Sequence, residues 1–170
     1  MPISPDEFRA ALSKFASGVT VVTTKDAGGT PHGITVSAFC SVSLEPPLIL
    51  VCIEKNAYSH AAFGESGVFV VNILSDQQID HSNQFASPAL DRFDGIKCRE
   101  GLEGVLILEE ALVNLECRLV NSHENGDHTI FIGRIERATV KDGKPLLYFH
   151  GNYRAMEDLL SEPNASGGKN

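Results

Sequence analysis

HGITVSAFCSVSLEPPLILVCI, residues 32–53, decides how this chain is read. Thr35, Ser37, Ser41 and Ser43 set short hydroxyls among apolar neighbours, and Pro46-Pro47 then breaks the run before a strongly apolar stretch. Gly33, Ser37 and Ala38 leave room beside the backbone for a flat ring, where bulky side chains would close it off. Hydroxyls and main-chain N–H groups are the donors that an acceptor-rich heteroaromatic ring requires of a groove. An ordinary edge strand with its hydroxyls turned to solvent has a similar composition. The run that follows, LILVCI (48–53), is apolar on both faces and predicts a buried strand.

Working outward, Ser4-Pro5-Asp6-Glu7 reads as a helix start, with Ser4 as N-cap, Pro5 at the first helical position and Glu7 closing a capping box. Phe8, Ala11, Leu12 and Phe15 recur at helical spacing, which predicts a helix that docks one face on a core and ends at Gly18. GVTVVTT (18–24) is β-branched and strand-like, and Gly28-Gly29 marks a hairpin over 25–30. A short helix is expected over 56–65 and a strand over VFVVNIL (68–74). Ser75-Asp76-Gln77-Gln78 repeats the capping-box pattern ahead of a helix reaching Phe85. Residues 87–104 read as irregular. VLILEE (105–110), ALVNLECRLV (111–120) and HTIFIGRIERATV (128–140) read as strands, with a polar turn from Asn121 to Asp127 between the last two. Lys141 to Lys144 predicts another hairpin, leading into PLLYFHG (145–151). NYRAMEDLL (152–160) predicts a short helix ahead of a polar tail, 161–170, expected to be disordered. No internal repeat or linker divides residues 1–160, so one domain is expected. Strands joined by short turns, with helices at the periphery, point to a mainly β fold, a small barrel with added helices.

At 170 residues the chain is long enough to bury one real core. A net charge of −8 and a pI near 5.2 argue against a nucleic-acid partner. No window reaches the roughly 18 apolar residues of a membrane span. The N-terminus lacks the basic-then-apolar pattern of a secretory signal, so a cytoplasmic protein is expected. Cys40, Cys52, Cys98 and Cys117 form no C-x-x-C pair and no zinc-ligand spacing, which predicts unpaired structural thiols.

KFASGVTVVTT (14–24), GITVSAFCSVSLEPPLILVCI (33–53), VVNIL (70–74), NQFA (83–86), GDHTIFIGRI (126–135) and PLLYFHGNYR (145–154) follow one another in register. Together they resemble the short-chain flavin reductases, the reductase components of two-component flavin-dependent monooxygenases, from Phe8 to Arg154. The resemblance implies an FMN-binding split β-barrel, usually a homodimer. It also implies an NAD(P)H:flavin oxidoreductase that moves a hydride from NADH or NADPH to FMN or FAD and supplies a separate monooxygenase. On the same ground Thr35, Val36, Ser37 and Ala38 would lie along the isoalloxazine and its ribityl chain, and Ser41, Val42 and Ser43 would line the same groove.

Glu54-Lys55-Asn56, with Ser59 after it, follows the apolar strand and opens the expected helix. Lys55 and helix N-terminal N–H groups suit a phosphate, and a solvated turn with a surface lysine is the plain alternative. The resemblance carries flavin-phosphate contacts to Lys55, Asn56 and Ser59, and places Glu54 with them among the cofactor-binding residues. It also makes Asn83 to Ala86 a flavin-side helix end, with Phe85 and Ala86 among the cofactor-binding residues, Phe85 packing near the ring, and core packing the rival for Phe85. Gly126-Asp127 delivers His128 at a strand start, where the imidazole projects into a cleft or is satisfied by Asp127. The resemblance implies a catalytic His128 near both rings, orienting the hydride donor. Tyr148, His150, Tyr153 and Arg154 suit a nicotinamide or adenine nucleotide, or else an aromatic strand with a surface arginine. No nucleophile triad or carboxylate pair is recognisable, which agrees with chemistry carried by cofactors. A flavin-binding electron carrier or sensor is the alternative. A metal enzyme built on His32, His60, His81, His123, His128 and His150 ranks last, because none are spaced H-x-x-x-H.

Overall fold

The computed structural model describes residues 3–88 and 91–156 and is organised around a seven-stranded antiparallel sheet. In chain order the elements are α1 (Pro5–Leu12), β1 (Ser17–Gly18), β2 (Thr20–Lys25), β3 (Pro31–Val36), β4 (Phe39–Ser43) and β5 (Leu48–Glu54). Then come α2 (His60–Ser66), β6 (Val68–Ile73), α3 (Ile79–Ala86), β7 (Cys98–Glu100), a single 3₁₀ turn (Leu102–Gly104) and β8 (Leu106–Leu108). Two long strands, β9 (Val113–Asn125) and β10 (His128–Val140), precede the short β11 (Leu147–Phe149) and β12 (Asn152–Arg154).

The main sheet runs β3-β2-β6-β9-β10-β5-β4. Its two edge strands, β3 and β4, are separated by Ser37 and Ala38 alone, so the sheet has to roll until its edges meet. β4 pairs with the first half of β5, Phe39 opposite Val51 and Cys40 opposite Leu50. Cys52 N–H then donates to the Ala38 carbonyl at 3.0 Å. Beyond that point β3 and the end of β5 share no ladder. The result is the mainly β split barrel with peripheral helices that the sequence predicts.

Alternating side chains of the rolled strands fill the interior, among them Val22, Val51, Phe69, Val71 and Phe131, with Phe63 of α2 plugging one end. β5 follows this alternation: Ile49, Val51 and Ile53 are buried, whereas Leu48, Leu50 and Cys52 are half-buried. The expectation of burial on both faces therefore fails, because among the described residues the outer face of β5 is only partly covered, Leu50 and Cys52 opening onto a hollow beside α1. A second buried layer joins β7 and β8 to the barrel through Asn72. Its Nδ2 donates to the Val21 carbonyl at 2.9 Å, and its Oδ1 accepts from Leu108 N–H at 3.1 Å and Asn114 Nδ2 at 2.9 Å. An amide with no exposure at all is thus satisfied on both ends.

α1 starts as the capping box predicts, with Ser4 N–H donating to Glu7 Oε2 at 2.8 Å and Glu7 N–H to Ser4 Oγ at 3.2 Å. It stops at Leu12 rather than Gly18, and its apolar face is not on the core: Phe8, Leu12 and Phe15 are exposed, Phe15 at 77%. The barrel interior is already filled by strand residues, and the helix end is tied instead by His150 N–H donating to the Ser13 carbonyl. α2 begins four residues later than expected, after a turn. The second expected capping box does not cap α3: Gln78 Oε1 accepts from Ser75 N–H at 2.9 Å, but Gln78 N–H donates to the Ser75 carbonyl in a turn, and Gln78 itself stands at the uncapped start of the helix.

Residues 87–104 hold β7 and the 3₁₀ turn, so they are not wholly irregular. The polar stretch 121–125 is strand rather than turn, since a solvated ladder needs no apolar side chains, and Gly126-Asp127 alone reverses the chain. Residues 141–144 make no hairpin: β11 pairs with β1 and β12, and a Ser75–Pro145 bridge leads the chain there. Residues 152–154 are strand where a helix was expected, held by β11. The rest of that expected helix, 157–160, and the tail 161–170 lie outside the described residues. All four cysteines are free, and burial pushes the Cys117 thiol up to about 12. Among the described residues no helix is long and apolar enough to cross a membrane.

Replacing Asn72 with Ala strands the Leu108 and Asn114 donors, and we expect a loss of about 2–4 kcal/mol of folding stability. Urea unfolding monitored by circular dichroism measures it, and an unchanged midpoint would refute the structural role given to this amide.

Candidate active site

Where the ladder between β4 and β5 stops and β3 leaves β5, a slot of about 220 Å³ opens, lined by residues 34–38 of β3 and its crossing, by Cys52, Ile53 and Glu54 of β5, and by His128. The Gly33 carbonyl is turned away from β2 and accepts from Arg92 Nη1 at 2.9 Å. Edge-strand alternation then directs the N–H and C=O of Thr35 outward on the same side as Gly33. The slot therefore offers a row of backbone donors and acceptors flanked by small side chains.

His128 opens β10 directly opposite Glu54 and Asn125. The two-residue turn before it requires a left-handed residue, which Gly126 provides at φ 58°. His128 Nδ1 meets Asp127 Oδ1 at 2.7 Å, which fixes the ring while leaving its side chain 45% exposed. Among the described residues Nε2 has no partner. The hydrogen bond from His128, and then its charge, hold the Asp127 carboxyl below the ordinary carboxylate value. Lys55 N–H donates to the Asp127 carbonyl at 2.9 Å, bracing the turn from the β5 side.

A second chamber of about 390 Å³ adjoins the slot at Ile34 and is lined by Asn56, Ala57, Tyr58, Ala86, Ser87, Pro88 and Arg92, with Phe85 beneath. Arg92 is pinned through Nη1, yet its Nε is buried without a partner among the described residues. A buried guanidinium N–H of this kind is a ready donor for an anion. Sequence reasoning missed Arg92: it falls in the stretch read as irregular, and its DRFD context carries no spacing pattern. Phe85 is fully buried, edge-on to Phe93 at 5.0 Å, and a Cβ at residue 33 would run into its ring. Its main role is to carry β3, which agrees with the packing alternative.

Several expected site residues lie elsewhere. The Thr35 hydroxyl donates to the Ser82 carbonyl at 2.6 Å, so it ties α3 to β3 and only its main chain serves the slot. Ser41 and Ser43 sit on β4 past the crossing and pair with the other half of β5, Val42 falls at the irregularity between them, and none of the three lines either chamber. Lys55 Nζ is drawn to Glu124 Oε2 at 3.2 Å, away from the second chamber. Ser59 is fully buried, because α2 begins only at His60 and residues 55–59 form a turn. It lines neither chamber, and its Oγ has no hydrogen-bond partner among the described residues.

The C-terminal cluster also divides. Tyr153 Oη contacts Ser82 Oγ at 2.9 Å and donates to Asn83 Oδ1 at 3.0 Å, fastening β12 to α3. Arg154 Nη1 folds back on the Tyr153 carbonyl. Tyr148 and His150 face an apolar hollow of about 640 Å³ beside α1, which shares Ser37, Ala38 and Cys52 with the slot. Among the described residues no three His, Cys, Asp or Glu side chains are placed to hold a metal ion.

Residues 12–157 match the family model described as flavin reductase like domain. The reductase subunit HsaB of a flavin-dependent monooxygenase from Rhodococcus jostii is 38% identical, over 95% of this chain and 83% of that protein. An NADH-dependent flavin reductase of a Rhodococcus species is 42% identical, over 92% of this chain and 89% of its own length. Among solved structures, a Streptomyces globisporus NADH:FAD oxidoreductase in complex with NAD and FAD fragments superposes with a TM-score of 0.83. It is 33% identical, and the match covers 98% of this chain and 99% of that one. A Rhizobium meliloti relative is longer, this chain spanning 48% of it.

Because the Asp127 carboxyl is lowered on folding, its pairing with His128 favours the folded chain above the ordinary carboxylate range. That contribution is lost as pH falls through the lowered value. Carboxyl carbon NMR should find Asp127 titrating below ordinary aspartate, and His128→Ala should return it upward. An ordinary midpoint in the unsubstituted protein would contradict the pairing.

Proposed function

The chain belongs to the flavin reductase-like domain family, and from that premise we propose that it oxidises NADH or NADPH, passes the hydride to FMN or FAD, and supplies reduced flavin to a separate monooxygenase. The observation that carries this is the junction at Ile34. On one side lies a narrow slot with a backbone hydrogen-bonding edge and an exposed imidazole; on the other, a chamber holding an unpartnered guanidinium nitrogen. A flat heteroaromatic ring with a phosphate at the end of a flexible chain fits that order of chemistry.

When bound, the flavin supplies the hydride acceptor and carries the redox chemistry. The chain's own task is placement. The outward main chain of Thr35 and the crossing at Ser37-Ala38 present donors to the ring's polar edge. Arg92, with Asn56 beside it, neutralises the phosphate. His128, steadied by Asp127, sets the nicotinamide against the ring and offers a donor where negative charge develops. None of these steps needs a proton to leave the protein.

A homodimer follows from the uncovered apolar surface. Phe8 and Leu12 of α1, Phe15 after it, Val42, and Leu44 at 92% exposure all lie open in one chain. Exposed large apolar residues in this number, three of them around one apolar hollow, are characteristic of an interaction surface. A second copy seated there would wall the hollow that adjoins the slot. Four free thiols, one of them exposed, support a reducing cytoplasm. The net charge of −8 supports nucleotide and protein partners over nucleic acid.

Anaerobic mixing with NADH and FMN should abolish the flavin's visible absorbance; persistence of that absorbance would reduce the protein to a flavin binder. His128→Ala should slow this reduction about tenfold to a hundredfold while flavin affinity moves little. In sedimentation the protein should run as a dimer, and Leu12→Asp should shift it to the mass of a single chain. A monomer before substitution would refute the proposed use of this face.

A further inference from the structure

Tyr58 lines the second chamber and is nevertheless 70% exposed. An aromatic ring on a surface turn ordinarily has nothing behind it. Here the imidazole of His32 backs it, the two ring centroids 5.2 Å apart and their planes inclined by 35°. His32 is itself buried, 8% exposed, and is anchored through Nε2 on Asp26 Oδ2 at 3.4 Å. Asp26 is in turn fixed by the N–H groups of Gly28 and Thr30, at 2.9 and 2.8 Å. The β2–β3 hairpin thus holds up a tyrosine that belongs to the turn after β5.

Tyr58 does not border the slot where His128 stands; it shares a chamber with Arg92. The chamber beside the hydrogen-bonding edge therefore holds both a cation and a supported aromatic face. A flavin mononucleotide ends at its phosphate and has nothing to lay on that face. A flavin dinucleotide continues through a second phosphate and a ribose to adenine, a flat ring suited to stacking. A ring already held by its neighbours loses little conformational freedom when it stacks, which favours binding. We propose that Tyr58, seated on His32, stacks the adenine of FAD and makes this chain prefer FAD to FMN. The proposal rests on the flavin reading of the slot. NADH also carries an adenine, and the test below separates the two sources.

The experiment measures dissociation constants of the full chain for FAD and FMN by titration, and the KM for NADH with FMN as acceptor. We expect FAD to bind more tightly than FMN, and Tyr58→Ala to reduce that preference about tenfold, the scale of one lost base–aromatic stack. Tyr58→Phe should retain it. Equal wild-type affinities, or parallel losses for both flavins in Tyr58→Ala, would overturn the proposal. So would a rise in the NADH KM in place of a changed flavin preference, which would give the platform to the nicotinamide nucleotide. A wild-type chain that binds and reduces FMN without preferring FAD sinks this inference alone. One that binds neither flavin removes the flavin reading with it.

Discussion

The two edge strands of the main sheet are consecutive in the chain, and the two residues between them, Ser37 and Ala38, force the sheet to curl onto itself. An antiparallel sheet whose edges lie far apart in sequence could stay open. This one cannot, because its first and last strands in space are almost one continuous strand. β4 uses up the ladder positions along the first half of β5, and Cys52 binds Ala38 at the crossing. From there on β3 and β5 diverge, each with main-chain groups unspent. Closure at one end and a slot at the other are two consequences of the same short connection.

Divergence alone would leave a frayed edge, which proteins ordinarily cover or blunt. Here α3 does so while keeping the slot open. Thr35 Oγ1 donates to the Ser82 carbonyl, and Ser82 Oγ and Asn83 meet Tyr153, so β3, α3 and β12 form one braced unit. Gly33 permits the close approach, since any side chain there would strike Phe85. Arg92 then caps the freed Gly33 carbonyl, and its buried Nε is left over as a donor. The groups that rigidify the edge are thus also those that give it an anion-seeking end.

Strand placement was largely legible in the sequence, because β-branched runs such as TVVT and VFVV report burial directly. Ser4 to Glu7 announced a helix for the same local reason: the capping bonds span three residues. What failed were inferences about side-chain partners. The hydroxyls of the 32–53 segment carry no mark that separates Thr35, spent on α3, from Ser41 and Ser43 beyond the crossing. Lys55 reads as a phosphate ligand only while Glu124, far away in sequence, is out of view. The amphipathic α1 was read correctly as having an apolar face and wrongly as covering its own core. Periodicity reports that a face is apolar; it does not report which surface covers it. Arg92 was invisible because its role depends on a carbonyl freed by the sheet's divergence.

The mismatch over hydroxyls has a physical logic of its own. A site that must hold one ring flat against another needs donors fixed to within fractions of an ångström. Seryl and threonyl side chains rotate, whereas main-chain N–H groups on a braced strand do not. A serine used as a donor would have to be locked by a further partner, as Thr35 is by Ser82, and once locked its proton is spent. In the proposed site the small residues at 37 and 38, which line the slot, serve better by their size than by their polar atoms, while Gly33 spends its small size on Phe85. His128 is a side chain in the slot with a free ring nitrogen, and it is immobilised from behind by Asp127, whose own turn is held by Lys55 N–H. Rigidity is supplied by groups behind the site, so the groups within it stay available.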